Sequence, residues 1–168
     1  LDETMLDEDK NNYLVSIAEH QDRMGLAWVD ISTGSFSIAE KKGSDSKAWL
    51  DGELQRLEPA ECLLPAGSSL DTLWGEDFCY PGMVLTKVDQ PITGLPEAQD
   101  IISSHFQVAS LEIFDLEGYT AGILAAASVL SYLSRTQKTR LNQICSLTVY
   151  NDDAGRSEER RVGKECRS

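Results

Sequence analysis

Positive charge is scarce in this sequence. Its 168 residues carry 15 Lys and Arg against 28 Asp and Glu, a formal net charge of −13. A protein that grips a nucleic-acid backbone needs a basic surface, and so does one that lies on anionic lipid, so the balance argues against both classes. Cysteine is thinly spread: Cys62, Cys79, Cys145 and Cys166 form no C-x-x-C pair. Neither a zinc site nor a redox motif is indicated, and the four do not read as a disulfide framework; a reduced cytoplasmic compartment fits this usage. Long apolar runs are missing too. The longest, residues 121–133, falls short of the ~20 residues that a membrane-spanning helix needs. No signal-peptide pattern follows Leu1, and an opening Leu in place of Met reads as a cut in a longer chain. No G-x-x-x-x-G-K-[ST] phosphate loop occurs anywhere.

What is present is a core-forming α/β pattern. The acidic, polar residues 1–12 read as a solvated linker. Residues 13–19 alternate at period two, with Tyr13, Val15 and Ile17 on one side, which predicts a strand. Residues 24–31 are almost continuously apolar and predict a strand covered on both faces. "STGS" supplies a hairpin turn in which Gly34 is available for positive φ. Residues 36–39 then complete an antiparallel meander, with Phe36 and Ile38 on one face.

After residue 46 the period changes. Leu50, Leu54 and Leu57 predict a helix over 47–57, capped by Ser44 or Asp45 and stopped by Pro59. Residues 60–64 predict a short buried strand. "LDTLW" and "FCYPGMVLTKV" carry no clear period. Residues 95–114 predict a second helix with Pro96 in its first turn, where Glu97 and Asp100 suit the positive end, and with Ile102, Phe106 and Ala109 on one face. Residues 120–137 predict the strongest helix, striped by Ile123, Leu124, Ala127, Leu130 and Leu133. Its small residues Gly122, Ala125, Ala126 and Ser128 permit close packing. In isolation one apolar face of this helix is expected to stay partly exposed. Residues 146–150 predict a last strand. One mixed sheet flanked by helices is the simplest architecture for this order, and it resembles the ribonuclease-H-like topology.

Two candidate sites arise from the residues. "DISTG" (residues 30–34) places Asp30 at a strand end before Ser32, Thr33 and Gly34. An aspartic-protease reading needs a second such Asp to share a proton, and no second D-[ST]-G exists. A phosphate cradle needs a following helix, whereas a strand follows here. Ordinary turn chemistry accounts for the motif. A ribonuclease-H-like nuclease instead needs clustered carboxylates that hold two metal ions, and Asp30, Glu53 and Glu61 are the candidates. His20, in a turn, and His105, on a helix, lack any accompanying nucleophile or ligand spacing and read as surface residues. Trp28, Trp49 and Trp74 form no basic-aromatic stripe, and core packing is expected for Trp28 and Trp49. On the residues alone, then, no catalytic, cofactor-binding or metal residue is assigned.

Three segments in series resemble the connector domain of the MutS family of DNA mismatch-repair proteins. "NNYLVSI" followed by "GLAWVDISTGSF" (25–36) is similar to that family's opening meander, "ELQRLEPAECLLP" (53–65) to its helix and next strand, and the run from Gly118 to Asp153 to the junction into its long-helix core. The resemblance covers residues 1 to about 155. It implies a linker at 1–12, a connector at 13–117 with a ribonuclease-H-like mixed sheet, and a junction helix with the start of the core domain at 118–155. It implies that the parent binds mismatched duplex DNA, dimerises, meets MutL and hydrolyses ATP with Mg, while this fragment is a non-catalytic module that couples domains, offers a MutL-contact surface and binds DNA weakly or not at all. The alternative remains a ribonuclease-H-like metal-dependent nuclease.

The last thirteen residues change character. "RSEERRVGKECRS" (156–168) carries five basic and three acidic residues. It reads as the translation of a short-read sequencing adapter, in which AGA-TCG-GAA-GAG gives Arg-Ser-Glu-Glu, and as such is set aside from the natural fold. Without it the net charge is −15.

Overall fold

A computed structural model describes residues 12–67, 69–70, 82–111, 116, 118–151 and 158–163, with Asn151 and 158–163 described by their backbone. Seven strands form one sheet: β1 (Tyr13–His20), β2 (Arg23–Asp30), β3 (Phe36–Lys42), β4 (Glu61–Pro65), β5 (Val84–Val88), β6 (Ser146–Asn151) and β7 (Glu158–Gly163). Their order is β5-β4-β1-β2-β3-β6-β7. The meander β1–β2–β3 is antiparallel, as its alternation predicts. Strands β4 and β5 add in parallel beside β1, and β6 adds in parallel beside β3. Strand β7, within the segment read as adapter-derived, pairs antiparallel with β6.

Among the described residues, the sheet is accompanied by helices α1 (Ser46–Leu57), α2 (Leu95–Phe106), α3 (Thr120–Thr136) and the single turn α4 (Lys138–Leu141). Because side chains alternate across a strand, the meander feeds two separate cores. Val15, Ile17, Leu26 and Trp28 pack on one face against Leu50, Leu54 and Leu57 of α1. Leu14, Ala27, Val29, Phe36 and Ile38 pack on the other against α2 and α3. Each fully buried Leu or Ile in these layers contributes ~1.5–3 kcal/mol, so both faces of the meander matter to stability.

Two expectations change at the helices. Helix α2 ends at Phe106, eight residues before the predicted end, so Ala109 lies outside it. Gln107 takes a left-handed conformation (φ 59°), and the Val108 N–H bonds back to the Ser103 carbonyl at 3.0 Å, closing the last turn. The second change concerns α3, whose apolar stripe is not exposed. Ile123, Leu124, Ala127, Leu130 and Leu133 are all buried, as are Ala125, Ala126 and Val129 between them. The sheet covers one side of α3 and α2 covers another, so the partners are already in this chain. Residues 71–81, which hold "LDTLW" beyond Leu70 and the whole of "FCYP", lie outside the described residues, as do residues 1–11.

Candidate functional site

The fold carries the sequence candidates to separate places. At the β2–β3 turn, Asp30 Oδ1 accepts the Ser32 N–H at 2.9 Å and the Ser32 hydroxyl at 2.5 Å. The Asp30 carbonyl accepts the Gly34 N–H at 2.7 Å, and Gly34 sits at φ +80°. "DISTG" is therefore a side-chain-braced hairpin turn, with one carboxylate oxygen of Asp30 bonded to the Ser32 amide and hydroxyl.

Glu53 lies on α1. Its carboxylate meets the Arg56 guanidinium through Nε at 3.1 Å and Nη2 at 2.5 Å. The same guanidinium lies 5.7 Å from the Trp28 ring centroid, and Trp28 stacks on Tyr150. Glu61, at the start of β4, accepts the Thr86 hydroxyl of β5 at 2.6 Å and the Tyr132 hydroxyl of α3 at 2.7 Å. The Glu61 carboxylate and burial together push the Tyr132 phenol above its usual range. These contacts put Glu53 on the α1 side of the sheet and Glu61 on the α3 side. Strand alternation assigns Asp30 to the face of Trp28, away from Glu61. The structure does not bring the three carboxylates together, and no group of three His, Cys, Asp or Glu with metal-holding geometry occurs among the described residues.

The histidines depart from their expected surface roles. Both are half-buried. His20 Nδ1 lies 3.2 Å from the Thr120 hydroxyl, and His105 Nε2 lies 2.8 Å from the Ile144 carbonyl. Trp28 is buried, and Trp49 packs against the same core, as expected; Trp74 lies outside the described residues. Cys62 is buried and is not part of a disulfide. Cys145 is disulfide-bonded, although the four cysteines do not read as a disulfide framework.

The strongest polar constellation was not among the sequence candidates. Glu40 sits on β3, with its side chain 4% exposed. One carboxylate oxygen accepts the Gly122 N–H of α3 at 3.0 Å, and the other meets Arg23 Nη1 of β2 at 2.5 Å. Arg23 Nη1 also donates to the Gly118 carbonyl at 3.0 Å. Helix α3 has no side-chain N-cap of its own, so a carboxylate from another strand serves its positive end. Burial raises the Glu40 pKa above the ordinary carboxylate value, opposed by the Gly122 N–H and by Arg23. A legible signal did exist: Glu40 continues the inward parity of Phe36 and Ile38, which is unusual for an acid. The expected strand ended at Ala39 and hid it.

A meander of three antiparallel strands, extended by β4 and β5 in parallel beside β1, with helices on both faces, defines a ribonuclease-H-like α/β domain. The MutS domain II family profile matches residues 12–145. The chain is 40% identical over 154 residues to the DNA mismatch repair protein MutS of Syntrophomonas wolfei, covering 91% of this chain and 18% of that protein. It is 32% identical over 154 residues to MutS of Desulfosudis oleivorans (91% and 17%) and 31% identical over 167 residues to MutS of Methanosarcina mazei (90% and 18%). The chain belongs to the MutS domain II family, the connector domain of a DNA mismatch-repair protein. It spans less than a fifth of the length of these relatives. Among the described residues, no helix is long and apolar enough to cross a membrane.

Proposed function

We propose that this domain works as a non-catalytic connector. It couples the mispair-reading part of its parent to the core and ATPase parts, and offers a surface to MutL. On this reading the parent is a cytoplasmic dimer that binds mismatched duplex DNA and hydrolyses ATP with Mg. Those cofactors belong to a phosphate-loop domain whose motif this sequence lacks. The domain itself takes no cofactor, and its excess of acid keeps it off the DNA backbone. Residues 156–168 are read as adapter-derived, and the nucleotide record checks that: codons differing from the adapter refute it.

One observation carries the non-catalytic reading. Asp30, Glu53 and Glu61, the carboxylates a metal nuclease would need, are divided between opposite faces of the sheet, each with its own partners. A two-metal centre needs its carboxylates to converge on ions about 4 Å apart.

The test is a titration of the chain against a fluorescent mismatched duplex at low and moderate salt, alongside a Mg²⁺-dependent cleavage assay and a titration with purified MutL. The expected results are weak or no duplex binding, no cleavage, and saturable MutL binding. Tight, salt-sensitive duplex binding overturns the non-DNA-facing role. Metal-dependent cleavage that the triple variant Asp30→Asn, Glu53→Gln, Glu61→Gln abolishes restores the nuclease alternative.

A further inference from the structure

We propose that Glu40 and Arg23 form a latch that fastens the first turn of α3 to the sheet, and that this latch opens locally, without unfolding the meander. Three observations converge on it. Glu40 reaches the helix from 82 residues away and is the polar side chain bonded to the Gly122 amide. Arg23 ties the same carboxylate to the Gly118 carbonyl, just before the helix begins. Gly25 stands directly across from Glu40 in the β2–β3 register and has no side chain to hold the helix away.

The charges make the latch conditional. A buried carboxylate survives only with compensation, and here that compensation is one guanidinium and the amides of one helix end. His20 of β1 is engaged with Thr120, and Lys42 of β3 is 3.9 Å from Asp22. Helix α3 presents no ionisable side chain between Thr120 and Ser131. Removing Arg23 strands the Glu40 charge, which then relaxes only by taking up a proton or by letting the first helical turn go. A group whose folded pKa lies above its unfolded value contributes stability below the unfolded value and loses it as pH rises through the folded one. The Arg23-less latch therefore closes in acid and opens toward alkali. The consequence for coupling, that α3 and the sheet move as one body while latched, rests on the connector reading; the latch itself does not.

The experiment is amide hydrogen exchange on the whole chain, followed residue by residue at pH 5 and pH 8, for the wild type, Arg23→Met, Glu40→Gln and the double variant. In Arg23→Met, protection factors at Gly122 and Ile123 are expected to fall at least ten-fold at pH 8 and far less at pH 5, while Leu26 and Ala27 of β2 stay protected. Adding Glu40→Gln is expected to remove that pH dependence. Equal loss at both pH values, or loss at Leu26 and Ala27 in step with Gly122, overturns the proposal. If Arg23→Met is globally unfolded at pH 8, the opening is not local and the proposal is overturned. Failure here leaves the MutL and DNA titrations untouched, so the two readings fail separately.

Discussion

Gly25 and Ala121 are in backbone contact across the sheet–helix boundary: a Cβ placed on Gly25 would stand 2.2 Å from the carbonyl carbon and oxygen of Ala121 and 2.5 Å from the Gly122 nitrogen. The neighbouring atoms are main chain, so no side chain can swing aside. Gly25→Ala is expected to destabilise the domain by about 2–3 kcal/mol, the upper part of the usual overpacking range. Urea unfolding followed by tryptophan fluorescence measures it, and a change below about 0.5 kcal/mol, well under that range, refutes the close approach.

Gly52 is the opposite case. It lies in the exposed middle of α1, where an added methyl would meet nothing within 4 Å and φ is not positive. Gly52→Ala is expected to stabilise by roughly 0.5–1 kcal/mol through helix propensity. The two alanine variants thus move the unfolding midpoint in opposite directions.

The carboxylate of Glu61 joins β5 to α3 through Thr86 and Tyr132. Tyr132→Phe is expected to cost about 1 kcal/mol, the net worth of one hydrogen bond. The Tyr132 pKa is raised in the fold, so its contribution is complete below the unfolded tyrosine value near 10 and is lost as pH climbs through the folded value. Thermal melts between pH 8 and 11 should therefore show the wild type losing part of its margin over Tyr132→Phe at the alkaline end. A constant margin counts against the Glu61 bond.

The Asp30 turn separates structural from metal-binding roles. Asp30→Ala is expected to cost about 1 kcal/mol by freeing the Ser32 amide, and Asp30→Asn distinctly less, because the amide oxygen still accepts. Millimolar Mg²⁺ is expected to leave the melting temperature of wild type and variants alike unchanged. A Mg²⁺-dependent rise that Asp30→Ala removes contradicts the turn assignment.

Burial of α3 is tested most directly at Leu130, which is 2% exposed. Leu130→Ala is expected to cost about 2–5 kcal/mol, in line with other buried leucine truncations. A helix with an exposed stripe would lose far less, and equilibrium unfolding decides between the two.

The parts legible in the sequence were those where one period dominates. Tyr13, Val15 and Ile17 alternate without interruption, and their strand and face follow from that. Leu50, Leu54 and Leu57 placed α1 and its buried side with equal ease. What escaped depended on partners far away in sequence. Helix α2 stops at a left-handed Gln107, which no glycine or proline announces. Glu40 looked like the polar end of a strand because the amide it serves lies on α3. The small residues of α3 announce close packing, but not the neighbour: only the fold shows the backbone at Ala121 and Gly122 against Gly25 of β2. The same distance explains the candidate site. Asp30, Glu53 and Glu61 are plausible ligands as residue types, and only the pleat of the sheet tells which of them can meet.

The double burial of β2 fixes the length of the meander. Between Met24 and Val29, odd positions that carry a side chain into a core belong to one layer and even positions to the other. Deleting one residue there would push Leu26 into the layer of α3 and Ala27 into the layer of α1, emptying one side while crowding the other. Length variation is thereby confined to the turns at residues 21–22 and 31–35, where a residue is added without changing which wall of the domain any side chain faces.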